Sequence, residues 1–110
     1  MEKMSLTALA RRQLAVARNA SSGRDAQTVY GGHEHALRQT LIAIAAGHTL
    51  IEHDGMREAT LFILQGRVRL SADGTVWLGA PGDLLIMPSC GNSLDALEDS
   101  AVLLTVAKSC

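Results

Sequence analysis

"GHTLIEHDGMREATLFILQG", residues 47–66, begins and ends on glycine, carries His53 and Glu58 in its middle, and closes on an apolar run. Two arrangements fit such a stretch: half of a metal site, or a turn between two buried strands. In an extended "TLFILQ" (60–65), Leu61 and Ile63 point one way and Phe62 and Leu64 the other. A strand that is apolar on both faces needs cover on both. The protein's core supplies one cover. The other falls to an N-terminal helix or to a second subunit.

The grammar around this stretch is that of strands and turns. The apolar runs "LRQTLIAIAA", "HTLIEH", "RVRLS", "TVWLG", "DLLIMP", "NSLDAL" and "AVLLTVA" alternate with the breaks "HDGMRE", "ADG", "GAPG" and "PSCG". Runs this short leave no room for crossover helices, so they imply an antiparallel all-β domain. "SADGT" (71–75) predicts a type I′ hairpin, because Asp-Gly tolerates the two positive φ angles that such a turn needs. "RVRLS" alternates, with Val68 and Leu70 opposed to Arg67, Arg69 and Ser71, so one of its faces is wet. Gly66 permits a hairpin backbone, "PG" at 81 and 82 makes a corner, and Asp83 is placed to accept backbone hydrogen bonds there. Upstream, Leu6, Leu9, Ala10, Leu14 and Ala17 recur at helical spacing, which predicts an amphipathic helix over about Ser5 to Asn19, with Ser5 as N-cap. "NASSGRDAQ" (19–27) reads as the loop that ends it. The chain therefore divides into a helix and linker, 1–27, and a β-domain, 28–110.

Composition narrows the function. With 110 residues the chain makes one compact domain. Its 47% hydrophobic content, with one Phe, one Tyr and one Trp, implies an aliphatic core. A formal charge of -1 argues against nucleic acid, and the pair Arg67 and Arg69 is too small a basic patch, with no aromatic ladder beside it. No run approaches the roughly 18 apolar residues of a membrane span. Arginines at 11, 12 and 18 interrupt any signal-peptide core. Two cysteines, Cys90 and Cys110, read as free thiols, which favours a reducing cytoplasm.

The turn residues carry a further pattern. Gly47, five residues, His53, then Glu58 and Gly66, followed by Gly82, five residues and Pro88, resembles the two motifs of the cupin superfamily. The likeness runs from about residue 33 to 108. It implies a cupin-type jelly-roll β-barrel of the small, single-domain, RmlC-like kind, here preceded by a short N-terminal α-helix. The departures fall on the metal ligands. Gly55 stands at the second histidine of the first motif, and seven residues rather than six separate Glu58 from Gly66. Cys90 replaces a glycine of the second motif, and Ser93 takes its strict histidine position. Where compact members carry that histidine four residues after the proline, this chain has Asn92.

A cupin metal site uses three histidines and a carboxylate, a mixed set suited to Fe, Mn, Ni or Zn. His53, Glu58 and Asn92 are what survives of it, and the Asn92 amide is a weak, neutral donor. No cofactor is expected from that remnant. The alternative is a divalent transition metal on a set foreign to the family: His35, His53 and Glu58, with His33 or His48 in reserve. If "HEH" (33–35) is extended, His33 and His35 share a face; otherwise they cap an entry strand. Glu58 has two readings: buried and able to move protons, or paired on the surface with Arg57 or Arg38. Cys90 lies in a loop near the expected mouth, with His53 as the base that a nucleophile would need. Trp77 and Met87 pack the core or line an apolar pocket.

Three functions compete. The first is a small-molecule-binding cupin whose candidate contacts are His53, Glu58, Asn92, Met87 and Trp77. The second is a metal-dependent cupin enzyme, a dioxygenase or isomerase. The third is a structural or regulatory protein with a vestigial pocket. A homodimer is expected in each case, built on the sheet edges and outer faces.

Overall fold

The computed structural model describes residues 2–52, 58–88 and 91–107. His53, Gly55, Arg57, Cys90 and Cys110 lie outside the described residues, and so do the expectations that rest on them.

Helix α1 (Leu6–Asn19) starts where expected: the Ser5 side chain accepts the N–H of Ala8 at 3.1 Å. Its buried face carries Leu9, Ala10, Gln13, Leu14 and Ala17. Among the described residues nine strands follow: β1 (Arg24–Tyr30), β2 (Leu37–Ile44), β3 (Thr49–Glu52), β4 (Glu58–Gln65), β5 (Val68–Ala72), β6 (Thr75–Gly79), β7 (Leu84–Ile86), β8 (Asn92–Ala96) and β9 (Ser100–Ala107). They form two antiparallel sheets, one in the order β1-β2-β9-β4-β7 and one in the order β3-β8-β5-β6.

Alternation along the strands divides the apolar residues between two cores. Between the sheets lie Ile42, Ile44, Ala59, Leu61, Ile63, Val68, Leu70, Leu85, Leu94, Val102 and Leu104. Outside the five-stranded sheet, the α1 side chains pack on Leu41, Ala43 and Ala101, with Leu64 and Leu103 at the margin. Gln13 fastens the helix there by donating to the carbonyls of Leu41 at 3.0 Å and Asp25 at 3.2 Å. The helix thus covers Leu64 but not the whole outer face of β4. Phe62 remains 38% exposed.

Two local expectations fail. Arg24–Gln27 is not a loop but the first half of β1, so the expected boundary at 27/28 falls inside a strand that pairs with β2 along its length. β1 is an edge strand in which only Asp25 and Val29 are even half-buried, so it carries no apolar alternation to read. The "HEH" segment is a turn rather than an extended entry strand, entered through Gly31 at φ +93°.

Candidate functional site

The two ends of the barrel differ, and the difference locates the site. At one end the turns close tightly. Ser100 is fully buried and its hydroxyl lies within hydrogen-bond distance of the carbonyls of Glu98 (2.7 Å) and Arg67 (3.2 Å). Gly66, at φ +85°, lies so close that a Cβ would overlap Ser100 Oγ and the Asp99 carbonyl. Asp99 accepts the N–H of Ala46 at 2.9 Å and the Arg18 guanidinium at 2.6 Å, and these two contacts hold its carboxyl below the usual carboxylate range. Asp83 accepts the N–H of Ala80 at 2.8 Å, as its place after "PG" implies.

The other end is open. Register places the inner faces in rows. Leu50, Leu94, Leu70 and Trp77 form one row across the four-stranded sheet. One step further out, past the last β5–β8 pair, Ser71↔Ser93, come Asn92 and Ala72, with Thr75 opposite Ala72. From the facing sheet, Met87 donates its N–H to the Ala59 carbonyl at 3.0 Å. The β5–β6 hairpin at this rim turns through Asp73 (φ 49°) and Gly74 (φ 78°), the type I′ geometry expected of "DG".

Two adjoining depressions open here and share Ala72, Asp73 and Thr75. One, of about 320 Å³, is lined by Leu70, Trp77, Met87 and Pro88. The other, of about 460 Å³, runs over the rim to Ile51, Ser71, Val76 and Ser93 of the outer face and also touches Asn92. Trp77 is 47% exposed, and Met87 is buried between the core and the cleft. Asn92 is only 6% exposed, and among the described residues neither its Oδ1 nor its Nδ2 has a hydrogen-bond partner. Leaving such a group unpaired costs about 1–3 kcal/mol. Its backbone is held in the ladder opposite Glu52.

Of the sequence-derived candidates, the structure brings Asn92, Met87 and Trp77 to one end of the barrel. Glu58 is a correction. It is exposed, and parity places it with Thr60 and Phe62 on the outer face of β4. Ala59 takes the inward position, buried in the core. The surplus residue between Glu58 and Gly66 was the available signal, because a shift of one residue moves a strand side chain to the opposite face. His33 and His35 are exposed, and the His35 ring meets Tyr30 edge-on at 5.4 Å. His48 lies at the closed end, where a Cβ on Gly23 would overlap its ring. Thr75, which sequence reasoning passed over, lies opposite Ala72 in the cleft; only the hairpin register reveals it. Arg67 and Arg69 are engaged with Glu98 at 3.4 Å and Asp95 at 3.0 Å.

The described residues alone do not make a three-histidine, one-carboxylate metal centre. Ala59 presents a methyl group where a carboxylate would point inward, and Asn92 presents a neutral amide. Among the described residues, no three His, Cys, Asp or Glu side chains come together.

No family profile matches the chain, and no curated protein matches it in sequence. Its fold is matched by solved structures. A Cupin 2 conserved barrel domain protein from Salinispora arenicola CNS-205 superposes with a TM-score of 0.73 at 18% identity, covering 99% of this chain and 90% of that one. A protein of unknown function from Rhizobium leguminosarum bv. viciae 3841 gives 0.70 at 20% identity, over 100% of this chain and 98% of that one. An RmlC-like cupin protein from Desulfovibrio desulfuricans gives 0.66 at 24% identity, over 76% and 81% of the two chains. These likenesses establish the cupin-type barrel fold. The first two extend over the N-terminal helix as well.

Proposed function

We propose that the chain is a small-molecule-binding barrel whose ligand enters the open end between β5–β6 and β7, without a metal centre of the cupin kind. The observation that carries this reading is Asn92, a buried amide whose two polar atoms have no partner among the described residues, next to Ala72 of the apolar cleft. Ligand sites are mostly apolar concavities with a few placed polar groups. Leu70, Met87, Pro88 and Trp77 supply the apolar wall, and Thr75 and Asn92 supply the polar groups. His53 belongs to the same proposal on the strength of its motif position alone.

Trp77 is the chain's sole tryptophan, so the site carries its own reporter. A metabolite library should contain compounds that shift Trp77 emission and raise the melting temperature together, since a ligand bound only to the folded state stabilises it. If no compound does either, the reading falls. Elemental analysis should find well under one Fe, Mn, Ni or Zn per chain. One tightly held metal, lost on His53→Ala, would favour the metal-dependent enzyme instead.

We also propose self-association as a homodimer. Its support is the outer face of β4 and β7, where Phe62, Leu84 and Ile86 are exposed by 38%, 56% and 59% beside the short edge strand β7. Exposed apolar clusters on edges invite pairing. Light scattering that gives one chain's mass at micromolar concentration would refute it.

A further inference from the structure

We propose that the ligand carries a neutral polar head presenting a donor and an acceptor side by side, such as a primary carboxamide or a lactam, on a flat apolar body. This rests on the ligand-site reading above and names the chemistry of its occupant. Asn92 offers one acceptor, Oδ1, and one donor group, Nδ2, on a single planar edge, and neither is engaged. A second amide edge satisfies both at once. A carboxylate sets one oxygen against Oδ1, and among the described residues no cationic side chain lines either depression. An ammonium group meets Oδ1 but leaves Nδ2 facing a donor. Among the described residues, the only ionisable one that lines them is Asp73, at the exposed tip of the hairpin.

The body of the ligand is set by the cleft. Trp77 lies about half exposed beside Met87 and Pro88, and the floor is Leu70 and Ala72. A flat ring gains from contact with an indole face and a thioether. Asn92 and Ala72 are neighbours on the inner face, just past the Ser71↔Ser93 pair. A ring against Trp77 therefore directs its substituent past Ala72 toward the buried Asn92 amide.

The test uses four probes that share a ring: benzamide, benzoate, benzylamine and toluene. Each is titrated against the full chain, read by Trp77 emission and by ligand-observed NMR. Benzamide should bind at least about tenfold more tightly than each of the others, the scale of one satisfied pair of hydrogen bonds. Asn92→Leu should abolish that preference and leave toluene binding intact or improved. Asn92→Ala, which only removes atoms, serves as the second variant, and an unchanged Trp77 emission maximum reports that each variant is folded. If toluene equals benzamide in the wild type, or the preference survives both substitutions, the amide inference falls while the site stands. Tighter binding of benzylamine or benzoate overturns it in the same way. If none of the four perturbs Trp77 or shows contact by NMR at millimolar concentration, the site reading falls with it.

Discussion

The closed end of this barrel satisfies its polar groups, and the open end does not. Ser100 is as buried as any residue in the chain, yet its hydroxyl lies within hydrogen-bond distance of two carbonyls. Asn92, nearly as buried and on the facing sheet, has no partner among the described residues. Both ends turn on glycines at positive φ. At the closed end Gly66 is packed against Ser100 and Asp99, whereas a Cβ on Gly74 at the open rim would meet nothing. One end is built for stability, while the other keeps unpaired hydrogen-bonding capacity at a cost in stability. Native structures usually pair buried polar groups, and each exception calls for an explanation; the other one among the described residues is Gln13 Oε1, beneath α1.

The largest expected effect tests the glycines. Gly66→Val forces a β-branched residue to φ +85° and drives its Cβ into the Asp99 carbonyl. The backbone strain alone is about 1–3 kcal/mol, before any overlap is relieved. Gly74→Ala, at φ +78° in open space, should cost clearly less. Melting curves of the two variants should differ by many degrees, with Gly66→Val unfolded or nearly so at 37 °C. Equal losses would remove the contrast between the ends.

The second effect has the opposite sign. Asn92→Leu replaces an unpartnered buried amide with a side chain of similar size, between Ala72 and the core residue Leu94. It should raise stability by about 1–3 kcal/mol in denaturant titrations, while weakening ligand binding. Residues kept for function are often those whose replacement stabilises. A destabilised but folded Asn92→Leu would mean that the amide has a structural role, and the open end would then resemble the closed one.

Much of this was legible in the sequence. The two-sided run at 60–65 demanded cover outside the barrel, and α1 supplies it over Leu64. "ADG" fixed its hairpin, and Ser5 its cap. What was not legible follows from the same physics. β1 is an edge strand without apolar alternation, so a propensity reading turns half of it into a loop. Glu58 looked like the surviving carboxylate because it was the nearest one in sequence, but strand parity sends it outward and leaves Ala59 inside. Asn92 was visible as a replaced histidine. Its burial and its two free atoms depend on what surrounds it, which motif spacing does not encode.

The smallest effect tests the closed end by acid. The Ala46 N–H first, and the Arg18 guanidinium second, depress the Asp99 carboxyl, while burial opposes them weakly. The Thr49 hydroxyl first, and Arg69 second, act likewise on Asp95, on the outer face of the four-stranded sheet. A carboxyl whose folded pKa lies below its unfolded value, about 3.9, contributes stability that is complete above that value. The contribution is lost as pH falls through the folded pKa. The wild type should therefore lose melting temperature as pH falls below about 4, as such groups take up protons. Asp99→Asn keeps an acceptor for the Ala46 N–H but cannot titrate, so its own loss over that window should be smaller. The difference will be modest, since Asp99 and Arg18 remain 32% and 52% exposed and exposed pairs contribute little. Added salt should shrink the Arg18 share and leave the Ala46 hydrogen bond. If wild type and Asp99→Asn lose equal melting temperature on acidification, the Asp99 junction does not tie α1 and the closed end together through its charge. The packing of Gln13, Leu14 and Ala17 on the sheet would then carry that connection alone.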